Sequence, residues 1–156
     1  MQLSCVADDT LRSLLKIQPL AVLATQRGGR PYTSLVAFAA SEDLRRIVFV
    51  TSRATTKYGN LSAEPYVSLL IDSRTHSVED FTSGAAVTVL GRAAEIGEKH
   101  RSDLLEGFLR KHPHLETFAR APSTALCGVE VETYILVTQF QHVVEMKVSE
   151  WPSLNP

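Results

Sequence analysis

The sequence has little of what would impose a fold or a chemistry from outside. Its only two cysteines, Cys5 and Cys127, form no CxxC pair and have no neighbouring ligand residues, so neither a zinc site nor a disulfide framework is indicated. No apolar run approaches the roughly 20 residues that span a bilayer. Neither sign of charge is in excess: 16 Lys and Arg face 17 Asp and Glu, mixed along the chain. That balance excludes the basic footprint of a nucleic-acid binder or a polybasic membrane patch. Repeats and low-complexity tracts are missing. No Ser-His-Asp, Cys-His or paired-carboxylate set stands out, so nothing points to a hydrolase. Residues 1–9 carry acids and no basic leader, and the expectation is a soluble cytoplasmic protein.

What is present is 156 residues, 44% of them hydrophobic, enough for one core and too few for two. The expected organisation is one domain over residues 1–150 and a tail, 151–156, whose Pro152 and Pro156 cannot continue a strand or helix. Asp8 or Asp9 is placed to cap a short helix carrying Leu11, Leu14 and Leu15 on one stripe, ended by Pro19. Two strands, 20–25 and 31–38, flank the Gly28-Gly29 turn as a hairpin, and 46–51 reads as a third. A helix over 55–64 stops at Pro65, before a strand over 66–71 and a polar loop over 72–80.

A long alternating strand covers 85–96, with Gly91 marking a bulge or bend. Next comes a helix over 98–111 with Leu104, Leu105, Phe108 and Leu109 on one side, then strands over 125–133 and 134–148. Antiparallel neighbours with isolated helices argue against a doubly wound sheet. They predict a mainly β chain with α insertions: a six- to seven-stranded antiparallel Greek-key barrel flanked by short helices. Its interior would be filled by Val, Leu, Ile and Ala, leaving ligands to bind on a flank or between subunits.

Residues 49–61 carry the densest chemistry. Here a strand end delivers Thr51, Ser52, Arg53, Thr55, Thr56 and Lys57 into a helix start. Unpaired N–H groups, hydroxyl donors and two cations together suit a phosphate monoester. The segment alone equally allows Ser52 or Thr55 to be a plain N-cap and the cations to be solvated.

The linked set of pieces resembles a family. It comprises the hairpin with residues 31–36, the strand end at Phe49 to Thr51, the Thr56-Lys57 pair, Asn60-Leu61, and residues 64–70. Order and spacing over about half the chain are similar to the FMN-binding core of the pyridoxamine 5′-phosphate oxidase-like split barrels. The resemblance implies a split barrel working as a homodimer, with FMN at the subunit interface. It matches Ser34, Leu35, Val36 and Ala37 to the strand beside the flavin, Val50 and Thr51 to the strand end, and Thr56 and Lys57 to the phosphate-binding pair. Ser52, Arg53 and Thr55 join the cofactor site from the segment reading.

Departures accompany the likeness. Ser34 and Ala39 stand where vitamin B6 oxidases carry Arg and Lys, Ala86 where a flavin-contacting Gln would fall, and the basic carboxy-terminal substrate motif is missing. Pyridoxamine phosphate is therefore not the expected substrate. The haem-utilisation branch is similar at Asn60-Leu61 and at residues 68–70, but has a His where this chain has Lys57.

The expected function is thus an FMN-dependent oxidoreductase with no assigned catalytic residue and no metal. The alternatives are a flavin electron carrier or redox-sensing module, and a haem or tetrapyrrole binder on the same fold. His76 with Glu79 and Asp80 reads as a solvated loop, and His100, His112 and His114 do not share a helix face. His142 reads as an ordinary strand residue. Gln139 and Gln141 are expected on one side of the last strand, with Trp151 in a loose tail.

Overall fold

Hydrophobic alternation, two glycines at a turn and helix-stopping prolines resolve into seven strands and five α-helices among the described residues, 2–153 of the computed structural model. Helix α1 (Gln2–Ile17) leads into a hairpin of β1 (Leu20–Arg27) and β2 (Arg30–Ala40). Gly28 and Gly29 both take positive φ at its turn, a conformation that favours glycine. Strand β3 (Arg46–Ser52) is followed by α2 (Thr56–Ala63), β4 (Tyr66–Asp72), the single turn α3 (Asp80–Ser83) and β5 (Ala85–Glu95). Then come α4 (Glu98–Lys111), α5 (Glu116–Arg120), β6 (Thr124–Thr138) and β7 (His142–Lys147).

All strand pairs are antiparallel. The ring runs β1, β2, β3, β6, β5, β4 and returns to β1, so six strands close and β7 is appended to β6. Strand β6 serves twice: Thr124 to Glu130 pair with β3, and Thr133 to Thr138 pair with β7. The expected split barrel is therefore the fold.

Gly91 makes the bend that the sequence suggested. The register of β5 on β6 shifts between Leu90 and Gly91, and a Cβ at Gly91 would lie 2.3 Å from the Glu130 carbonyl oxygen.

Inside the barrel Leu23, Phe38, Ile47, Phe49, Leu69, Ile71, Val87 and Val89 are buried, and α1 adds Leu11, Leu14 and Leu15. Outside it, Val48 and Val50 lie under Leu105, Phe108 and Leu109 of α4. Burial on both faces explains why β3 reads as a continuous apolar run, whereas β1 alternates.

Three sequence expectations need correction. Helix α1 begins at Gln2, so Asp8 and Asp9 are interior and not caps; Asp8 instead pairs with Arg12 one turn on, at 2.9 Å. The final strand break falls after Thr138 and not after Thr133, with Gln139 and Phe140 turning at positive φ. Gln139 is consequently a turn residue and does not share a strand face with Gln141. The tail is also anchored where it is described: Trp151 stacks on Tyr134 with ring centroids 5.9 Å apart, and Arg45 donates to the carbonyls of Trp151 and Pro152. Residues 154–156 lie outside the described residues.

Candidate functional site

The site begins where β2 and β3 part. Strand β3 pairs with β2 only over Phe38 to Ala40, whereas β1 follows β2 from Arg30 to Ala37. The N–H of Phe38 bonds Pro19 O, and the N–H of Ser41 bonds Arg46 O. Alternation then sends the backbone groups of Ser34, Val36 and Phe38 towards β1, and those of Leu35 and Ala37 towards the edge on the β3 side. That edge is open at Leu35, whereas at Ala37 the neighbouring Phe38–Phe49 pair still keeps β3 alongside, with the Ala37 carbonyl facing Val50 N–H. The side chains divide as well. Ser34 stands opposite the fully buried Leu23 and Val36 opposite buried Ala21, so both face the core, whereas Leu35 is 66% exposed. The Ser34 hydroxyl is buried with no partner among the described residues.

A buried histidine fixes the point of divergence. Pro19 has no N–H to return to Phe38, and the Phe38 carbonyl is instead met by His112 Nε2 at 2.7 Å. His112 is 2% exposed and its ring lies 4.8 Å from that of Phe108. Burial holds its imidazole below the usual histidine range, and the nearby Lys111 and His114 add to this against the opposing pull of the Phe38 carbonyl. A carbonyl only accepts, so Nε2 carries the proton.

Beyond the split, β3 ends in Val50, Thr51 and Ser52, and α2 starts one short turn later. Thr55 is the N-cap, its hydroxyl accepting from Tyr58 N at 3.4 Å and donating to Ser52 O at 2.9 Å. Thr51 Oγ1 lies 2.9 Å from Thr55 Oγ1, and Ser52 Oγ accepts from Ala54 N at 3.2 Å. Thr55 therefore caps the helix, with Thr51 and Ser52 beside it. Thr56 is exposed and Lys57 half-buried, and Lys57 forms no ion pair among the described residues. Opposite Ser52 on β6 stands Thr124, 1% exposed, with its hydroxyl also unpartnered among the described residues. Asn60 pins α2 to β1 by donating to Thr25 Oγ1 at 3.1 Å, both residues being buried.

Val50 points away from the barrel under α4, so it supports the strand end. Arg53 is engaged elsewhere. Its guanidinium forms an ion pair with Glu95 at the end of β5 and donates to Pro122 O at 2.8 Å. The same carboxylate accepts from Tyr58 OH at 2.6 Å. The hydrogen bond from Arg53 is the main cause holding Glu95 below the usual carboxylate range, and the bond to Glu95 raises Tyr58 in turn. Sequence reasoning missed Glu95, Tyr58 and Thr124 because these contacts join β5 and β6 to a segment far away in sequence.

Register places Leu35, Val22 and Leu70 side by side across three strands, and Leu20, Leu35, Leu70 and Leu90 are all exposed. Elsewhere, Asp80 accepts from the backbone N–H groups of Thr75, His76 and Ser77, so it ties the loop and forms no set with His76. Among the described residues, no group of three or more His, Cys, Asp or Glu could hold a metal, and no helix is long and apolar enough to cross a membrane.

The donor set fits a phosphate-bearing flavin: an open strand edge at Leu35 for the polar side of a ring, then the Ser52 and Thr56 hydroxyls, first-turn N–H groups and Lys57 for a phosphate. Comparison with known proteins bears on the fold. A haem-binding protein from Mycobacterium smegmatis superposes with a TM-score of 0.79 at 16% identity, over 88% of this chain and 56% of that one. The chain thus spans about half the length of that relative. A haem storage protein from Vibrio cholerae gives 0.70 at 16% identity, over 85% and 94% of the two chains. An FAD-binding protein from Mesorhizobium loti gives 0.64 at 17% identity, over 80% and 89%. No curated protein matches by sequence. Residues 7–138 match the family model described as pyridoxamine 5′-phosphate oxidase, and the chain belongs to that family.

Proposed function

We propose that this chain binds FMN and acts as a flavin-dependent oxidoreductase, with the flavin against the open edge of β2 at an interface between two copies of the chain. The observation that carries this reading is the continuity of that edge with the hydroxyl-lined start of α2. Leu35 offers backbone groups where β3 has turned away, Thr51 and Ser52 end β3, and Thr55, Thr56 and Lys57 open α2. Bound FMN would supply hydride or single-electron transfer. The protein supplies phosphate anchoring, strand hydrogen bonds and exclusion of water, and needs no side chain as a base.

The homodimer rests on the outer apolar face. Leu20, Val22, Leu35, Leu70 and Leu90 form a contiguous patch, and a second copy presenting the same patch would bury it isologously. A flavin beside Leu35 would then be covered from the partner side.

Titration of the purified protein with FMN, read by quenching of flavin fluorescence, tests the reading; saturation at one flavin per chain is expected, and no quenching would refute it. Turnover of NADH or NADPH with an added acceptor marks an enzyme. Tight FMN that neither nucleotide reduces marks an electron carrier or redox-sensing module. A second reading, haem or tetrapyrrole on the same barrel, is supported by the two haem-protein relatives. A Soret band on titration with hemin, without flavin binding, would favour it.

A further inference from the structure

The anion site at the start of α2 contains an anion of its own. Glu95 comes from the far end of β5, yet its carboxylate accepts from Arg53 Nε at 3.2 Å and from Tyr58 OH at 2.6 Å. It thereby links the loop before α2 to the helix's first turn. Arg53 directly follows Ser52, and Glu95 together with Pro122 O takes up three of its five N–H donors. Of the two cations in the segment, only Lys57 is left without an ion pair among the described residues. On β6, Thr124 pairs with Ser52 and holds a buried hydroxyl with no partner among the described residues.

We propose that Glu95 is a specificity-determining counter-carboxylate, which holds Arg53 away from a bound phosphate and so weakens the site's preference for dianionic ligands over neutral ones. The inference rests on the phosphate reading of α2. Coulomb's law gives its order: removing one negative charge close to a phosphate in a half-solvated site changes affinity by about three- to tenfold, and freeing Arg53 adds to this. Glu95→Gln keeps the size and the hydrogen bond from Tyr58 while removing the charge.

The test compares Kd for FMN and for riboflavin, which lacks the phosphate, in the wild type, Glu95→Gln, Arg53→Ala and the double variant. The expected result is FMN binding about five- to tenfold tighter in Glu95→Gln, with riboflavin unchanged and a steeper weakening by salt. The gain should shrink in the Arg53→Ala background, because the guanidinium that Glu95 releases is gone. Unchanged or weaker FMN binding in Glu95→Gln overturns the proposal and shows that Glu95 instead positions Arg53 for the ligand. Thermal shift with inorganic phosphate separates this from the flavin reading. If neither protein binds flavin, the flavin reading fails alone; greater stabilisation of Glu95→Gln than of the wild type by phosphate still supports the counter-carboxylate, and an equal response overturns it.

Discussion

Replacing His112 by Phe tests whether the parting of β2 from β3 is held by one buried hydrogen bond. The substitution keeps an aromatic ring against Phe108 and removes the Nε2–H donor that meets the Phe38 carbonyl at 2.7 Å. Pro19, which lies opposite Phe38, has no N–H to take its place, so a carbonyl in a site that is 2% exposed is left unpaired. Such a loss costs about 1–3 kcal/mol, or on the order of 5 °C in Tm for a chain of this size. Urea unfolding at pH 7 should show a lower midpoint with an unchanged slope.

The effect also has a pH signature. Burial lowers the folded pKa of His112, so below its ordinary value of about 6.5 the unfolded chain takes up the proton first. Wild-type stability therefore contains a contribution that is complete above that value and is lost as pH falls through the lower folded pKa. His112→Phe lacks this contribution, and the stability gap should narrow between about pH 7 and pH 5. A second variant, Pro19→Ala, restores an N–H opposite Phe38 and should soften the loss in a double-mutant cycle. If His112→Phe is as stable as the wild type at pH 7, the Phe38 carbonyl has another partner and the reasoning fails.

Other substitutions probe the remaining elements. Gly91→Ala places a Cβ 2.3 Å from Glu130 O and 2.9 Å from Val129 Cγ1, and should cost about 1–3 kcal/mol in thermal unfolding by forcing β5 off β6. Lys57→Ala should weaken FMN roughly tenfold in fluorescence titration, a larger loss than that from Arg53→Ala, because Glu95 already occupies Arg53. Leu35→Lys with Leu70→Lys puts like charges on the outer apolar face, and light scattering at micromolar concentration should then show a monomer for the variant and the proposed dimer for the wild type.

Local pattern revealed most of the barrel. The glycine turn, the apolar β3, the prolines after α1 and α2, and Gly91 each carry a backbone preference that acts where it stands in the sequence. The break in the last hairpin does not, because Gln139 and Phe140 adopt positive φ without the Gly or Asn that announces such a turn. Helix α1 extends beyond what Asp8 and Asp9 announce: both favour caps in isolation, yet here they are interior, with Asp8 paired to Arg12 one turn on. At the candidate site, the hydroxyls and Lys57 were visible as one segment. The open edge of β2, the carboxylate of Glu95 and the Phe38–His112 bond were not, since each depends on which distant strand or helix the fold brings alongside.

The most direct measurement is the absorbance spectrum of the purified protein incubated with FMN and then desalted. Retained bands near roughly 370 and 450 nm, at about one flavin per chain and reduced in Lys57→Ala, are the predicted result. A spectrum without flavin, from a folded protein, would contradict the account of the β2 edge and α2 start as a flavin site.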